Sequence, residues 1–219
     1  MTGALERVAG WILGRIGRQL WGFAPILMPR IVERLGPVRA VRWMARNMPE
    51  YERILKLMGP IRCHLACVVA SLLNGCAYCA YGHARPIELY YFRDTGRLFP
   101  LDEHELIALS HVEDQVLTTR LEQALEAAGL REEIAMFRRL RALKFDGAIP
   151  ESDDDRRLLH LIRMFDVLNS CGIDRLVPWD DAHDPVARDK ALQERYAQAR
   201  LSASAAEPAP EKQDAASGG

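Results

Sequence analysis

From Cys63 to Leu73 the chain carries no Asp, Glu, Lys or Arg, and Asn74-Gly75 then leads directly into Cys76, Cys79 and His83. A run with no charge predicts a helix buried on nearly all sides. Asn-Gly is a turn signal, so a second helix starts at the motif. Offsets of 3, 4 and 7 place two thiols and one imidazole on a single stripe of that helix. Cys76 falls in its first turn, where unpaired backbone N–H groups and the helix dipole favour a thiolate. His83, one turn beyond Cys79, can accept or return a proton. This is the equipment of a dithiol/disulfide redox centre.

Other readings of the same residues stand beside it. Free cysteine packs well in cores, so the stripe can be plain core packing. The thiols can also be metal ligands, with Cys63, His64 and Cys67 completing the set, although both pairs look helical rather than knuckle-like. No strand run precedes the Cys-x-x-Cys, which argues against a thioredoxin-like fold.

The stretch from His64 through Leu73 and Asn74-Gly75-Cys76-Ala77-Tyr78-Cys79 to His83 resembles the signature of the alkylhydroperoxidase-D-like / carboxymuconolactone decarboxylase superfamily. The resemblance is strong over residues 61–92. It is weaker over 101–173, where Leu161–Phe165 to Cys171-Gly172-Ile173 is similar to the family's closing helix, and it does not reach residues 1–45. It implies an all-α helical bundle that assembles as a trimer or hexamer. It also implies a Cys-x-x-Cys-x-x-x-His centre that reduces hydroperoxides, with no bound cofactor, and takes electrons from an external dithiol donor of lipoyl type. One departure stands out. Redox-active relatives place a glutamate twelve residues before the first motif cysteine, as the end of a proton relay, and this chain has His64 there. They often have a histidine inside the Cys-x-x-Cys, where this chain has Tyr78.

The expected site is therefore Cys79, Cys76, His83 and His64. The helix dipole favours Cys76 as the attacking thiol, and the nearby His83 favours Cys79. In the resembling family the second cysteine is peroxidatic, and Cys79 is taken here. His64 is either a hydrogen-bonded core residue or the relay terminus. Two rival functions follow from the same resemblance. One is a lactone decarboxylase or isomerase working by acid–base catalysis without a redox dithiol. The other is a non-catalytic helical oligomer that has lost its relay.

Composition narrows the rest. With 219 residues and 49% hydrophobic content the chain can bury one core, and residues 1–200 read as a single domain with 1–58 as an N-terminal extension packed on it. The net charge of −1 hides an asymmetry, because residues 1–62 carry +7 and the remainder −8. No Lys/Arg run is dense enough for a nucleic-acid arm, so two layers or two subunits are expected to complement each other. No stretch reaches the roughly 18 apolar residues of a membrane span. The N-terminus lacks a signal-peptide pattern, and a cytoplasmic, reducing location makes the Cys-x-x-Cys catalytic rather than structural. Neither a Gly-rich phosphate loop nor an HExxH or GxSxG motif is present.

Helical periodicity is read over 5–20, with Leu5, Val8, Ile12, Leu13, Ile16 and Leu20 on one face and Gly10, Gly14 and Gly17 suited to close contact. Helices are then expected over 30–47 and 50–58, with Met48-Pro49-Glu50 as a start signal. Asp102 with Glu105 predicts a capping box opening a helix to about Leu117. Further helices are placed over 119–129, 131–144 and from Ser152 to Cys171-Gly172. Asp184-Pro185 is expected to start a last helix to Arg200, with 201–219 a disordered tail. Cys63, Cys67 and Cys171 are read as packing. Tyr78, Tyr81, Tyr90 and Tyr91 are read as an apolar approach to the thiols or a subunit contact.

Overall fold

The computed structural model describes residues 2–173 and 178–206. These form ten α-helices and two 3-10 turns, with no strand among the described residues, so the chain is all-α there. The helices are α1 (Thr2–Trp21), α2 (Leu27–Leu35), α3 (Pro37–Met58), α4 (Pro60–Leu73), α5 (Ala77–Thr95), α6 (Glu103–Ala108), α7 (Asp114–Ala128), α8 (Arg131–Phe145), α9 (Asp153–Ile173) and α10 (Lys190–Ala206). None of them is long and apolar enough to cross a membrane.

The charge-free run behaves as expected. Every residue from Cys63 to Leu72 is buried, because α4 is surrounded by α3, α5, α8 and α9. Its most extensive partner is α5, joined through Asn74-Gly75. Gly75 takes φ +72°, the left-handed conformation that this turn needs and that glycine adopts without strain. The Cys76 N–H then donates to the Ser71 carbonyl at 2.9 Å and closes the turn.

Three expected boundaries are corrected. Met48-Pro49-Glu50 starts no helix, since α3 runs unbroken through Pro49. The break falls instead at Gly36, φ +78°, with Pro37 in the first turn of α3, while Pro29 lies in the first turn of α2. An interior proline costs a helix about 3 kcal/mol. Met44, Met48, Tyr51 and Ile54 are buried on one face of α3, and each such side chain returns about 1.5–3 kcal/mol, so packing wins. The capping box forms, with the Glu105 N–H donating to Asp102 Oδ1 at 2.8 Å. That helix nevertheless ends at Ala108 and passes through a 3-10 turn, Leu109–His111, where the Ser110 hydroxyl donates to the Ile107 carbonyl and competes with the main chain. Asp184-Pro185 opens only a 3-10 turn, Pro185–Arg188. The Asp189 carboxylate accepts the Leu192 N–H at 2.9 Å and caps α10 in its place.

α10 continues to Ala206, so the first six residues of the expected tail are helical, in keeping with an alanine-rich sequence. Residues 207–219 lie outside the described residues. The expected face of α1 holds in part: Leu13 is buried and Ile16 and Leu20 pack against the core, while Leu5 and Val8 are exposed and Ala9 is buried instead. Of its glycines, Gly17 is the close contact, for a Cβ there would stand 2.4 Å from Pro25.

Candidate active site

Helix α5 carries the motif, and two of its residues make a notch. Pro86 has no N–H, so the Gly82 carbonyl one turn earlier loses its helical partner. The His183 N–H donates to that carbonyl at 2.8 Å. Gly82 allows the approach, because a Cβ would lie 2.4 Å from the His183 ring. The segment Asp180–Asp184 is thereby docked across the motif helix, and it brings two carboxylates and an imidazole to a site built from α4 and α5.

His64 is fully buried on α4. Its Nδ1 lies 2.9 Å from Nδ1 of His83, and its Nε2 lies 2.9 Å from Oδ2 of Asp184. The other oxygen of Asp184 accepts from the Tyr90 hydroxyl at 2.6 Å and from the Val186 N–H at 2.8 Å. Burial alone would push the Asp184 carboxyl up. The hydrogen bonds from His64, Tyr90 and Val186 outweigh it and hold this group below the usual carboxylate range. An ionised Asp184 fixes the protons along the chain. His64 must present Nε2–H to the carboxylate, so its Nδ1 accepts from Nδ1–H of His83, and His83 is left with Nε2 as an acceptor. Burial, with His64 and His183 nearby, pushes His83 well below the ordinary imidazole range, which keeps it neutral.

The two thiols differ. Cys76 is the N-cap of α5. Hydrogen bonds from the Cys79 thiol and from the Cys79 and Tyr78 N–H groups outweigh burial and lower Cys76 below the usual thiol range. The same thiol–thiol bond, with burial, pushes Cys79 up. The Cys79 thiol thus donates to Cys76 Sγ, and this bond favours ionisation of Cys76 over that of Cys79. Their surroundings differ too. Cys79 lines a cavity of about 40 Å³ with His83, His183, Tyr51 and Trp21 in an otherwise apolar wall. Cys76 lines an open groove of about 570 Å³, walled by Tyr78, His111 and Trp179. Gly172 on α9 forms the floor beneath the pair, where a Cβ would be 2.8 Å from Cys76 Sγ.

All four expected site residues are buried and close together. The residues missed by sequence reasoning are Asp184, His183, Asp180, Tyr51 and Trp21. His183 Nε2 lies 3.0 Å from Asp180 Oδ1, and the other Asp180 oxygen accepts from Tyr78 at 2.8 Å and from the Ile26 N–H at 2.9 Å. The His183 ring stacks on Trp21 and meets His83 edge-on at 5.6 Å. Two signals pointed here: histidine among aspartates in Asp180-Asp181-Ala182-His183-Asp184, and the Gly82/Pro86 spacing on the motif helix.

The tyrosine cluster is only partly an approach to the thiols. Tyr78 lines the groove, whereas Tyr90 holds Asp184, Tyr91 donates to the Ala128 carbonyl at 3.0 Å, and Tyr81 stacks on Trp179. Cys63, Cys67 and Cys171 are buried. No group of three or more His, Cys, Asp or Glu among the described residues converges so as to hold a metal ion. Compared with family models, with curated proteins and with solved structures, the chain has no match.

Proposed function

We propose that this chain is a thiol-dependent peroxidase and disulfide oxidoreductase of the alkylhydroperoxidase-like type, with Cys79 as the attacking thiol and Cys76 as the resolving one. The observation that carries the reading is the unbroken path from the motif helix through His83 and His64 to a buried Asp184. A histidine at the position of the expected glutamate does not end the relay; a carboxylate from a distant segment takes over its end.

In the proposed cycle Cys79 passes its proton to His83 Nε2. The imidazole chain shares the charge with Asp184. The Cys79 thiolate attacks the distal oxygen of a hydroperoxide, the O–O bond breaks, and Cys79 becomes a sulfenic acid. The departing alkoxide takes the proton back from His83 and leaves as the alcohol. The Cys76 thiolate then attacks the Cys79 sulfur, expelling hydroxide, which is protonated to water, and the Cys76–Cys79 disulfide forms. An external dithiol, reaching Cys76 from the groove, is oxidised to its disulfide as the pair is reduced, and the proton it releases balances the one consumed. The direction of the shifts favours Cys76 as the readier nucleophile; Cys79 is assigned the attack because it shares the cavity with His83 as its base.

The test is hydrogen peroxide consumption with dihydrolipoamide as donor. Wild type is expected to turn over and Cys79→Ser to be inactive; wild type without activity contradicts the reading. Two histidines on one cavity wall, His83 and His183, the first tied to Asp184 through His64 and the second to Asp180 directly, favour a second reading, an acid–base enzyme of the carboxymuconolactone decarboxylase kind. Under it, lactone turnover survives Cys79→Ser and peroxide is not consumed. A homo-oligomer, trimer or hexamer, belongs to the first reading, and the exposed Leu5, Val8 and Trp11 on α1 support it.

A further inference from the structure

Two residues in the wall of the cavity at Cys79 carry hydrogen-bond donors that the relay does not use. The Tyr51 hydroxyl and the Trp21 indole N–H are both buried, and neither has a partner among the described residues. Tyr51 is 2% exposed and Trp21 7%, and both residues line the cavity. A buried donor left unpaired is destabilising by about 1–3 kcal/mol, so two in the wall of one small cavity call for an acceptor there. Apart from Cys79, His83 and His183 the remaining wall is apolar, with Leu27, Met28, Ile31 and Phe165 prominent, and it disfavours an anion. His83, held neutral by burial, adds no positive charge to attract one.

Volume limits the guest. About 40 Å³ is a few times the roughly 10–15 Å³ that a single water requires in a cavity. That accommodates two oxygens and at most a short alkyl group. We infer that Tyr51 and Trp21 are the substrate-positioning donors of a site for small neutral hydroperoxides, hydrogen peroxide foremost, seated against Cys79. This inference rests on the peroxidase reading and adds its substrate class. In this role the donors stabilise the oxygen on which negative charge develops as the O–O bond breaks, where fixed dipoles in a dry site act most strongly. Bulky hydroperoxides are excluded by the wall.

The experiment follows Cys76–Cys79 disulfide formation in the reduced full chain by stopped flow, with hydrogen peroxide, cumene hydroperoxide and diamide as oxidants. Wild type is expected to react with hydrogen peroxide faster than with cumene hydroperoxide by roughly tenfold or more, the scale of forcing extra volume into a packed site. Tyr51→Phe and Trp21→Phe are each expected to slow the hydrogen peroxide reaction about tenfold, the scale of one lost hydrogen bond at a reacting centre. The diamide reaction, which needs no seat in the cavity, should be unchanged in both. Equal rates with the two peroxides in wild type, a comparison that requires no variant, overturn the inference. So do unaltered hydrogen peroxide rates in both variants. A wild type that reacts with diamide and with neither peroxide removes the peroxidase reading itself, and this inference with it.

Discussion

Asp184 stands 120 positions along the chain from His64, yet the two are 2.9 Å apart with both side chains fully buried. A carboxylate in that position stabilises a proton arriving on His64, so the pair and His83 act as one unit. Asp184→Asn keeps the shape and removes the charge; single-turnover disulfide formation with hydrogen peroxide should slow by roughly 10²-fold, and His64→Leu should slow it by a similar factor. In the proposed relay the residues work in series, so the double variant should be no slower than His64→Leu alone. Additive losses would show that Asp184 is only structural. His83 gives a pH signature. Its folded-state value lies well below the ordinary imidazole, so between that value and about 6.5 the unfolded chain binds a proton that the native one does not. Stability from this group is complete above about 6.5 and declines as pH falls, by up to about 1.4 kcal/mol per pH unit. Buried Glu88, pushed up by burial, tilts the curve the other way, so the comparison is between variants. Urea midpoints at pH 7.5 and 5.5 should fall less for His83→Gln than for wild type; parallel shifts would contradict a buried neutral His83.

At the scale of elements, the Gly82/Pro86 notch on α5 decides whether the carboxylates reach the site. Gly82→Ala puts a methyl where His183 packs. It should cost about 1–3 kcal/mol of stability, the usual effect of overpacking, and with Asp184 drawn off His64 it should also slow disulfide formation. Thermal unfolding together with the single-turnover rate checks both, and an active, fully stable Gly82→Ala would mean that the segment docks by other contacts. The half of the site on α4 and α5 was legible in the sequence because its information is local: an uncharged run for burial, Asn-Gly for the turn, and offsets of 3, 4 and 7 for the stripe. The other half was not. Asp184 before a proline reads as a helix cap, and its side chain does accept the Val186 N–H. Its second role depends on a tertiary contact that no periodicity encodes. The unbroken α3 has the same origin, since a proline rule is local and the burial that overrides it is not.

The whole molecule explains why an extension outside the resembling segment matters. α1, α2 and α3 are more than a cover, because Trp21, Leu27, Met28, Ile31 and Tyr51 from these helices wall the cavity at Cys79. The outer side of α1 leaves Leu5, Val8 and Trp11 about 55–60% exposed, an apolar stripe of the kind that subunit contacts cover. The chain should therefore scatter light as a multiple of 24.7 kDa at micromolar concentration, and Trp11→Glu should shift it toward the monomer. A monomeric wild type would rule out assembly through this face. The charge asymmetry between the N-terminal region and the rest is met in part within the chain, as where Arg62 pairs with Glu133 at 2.8 Å.

The proposed redox pair is tested most directly by peptide mass spectrometry after one equivalent of hydrogen peroxide, with alkylation of the thiols that remain. A Cys76–Cys79 disulfide is expected, reversed by dihydrolipoamide, with Cys63, Cys67 and Cys171 alkylated once the chain is unfolded. A Cys63–Cys67 linkage in its place, or five alkylated cysteines after oxidation, would contradict the account.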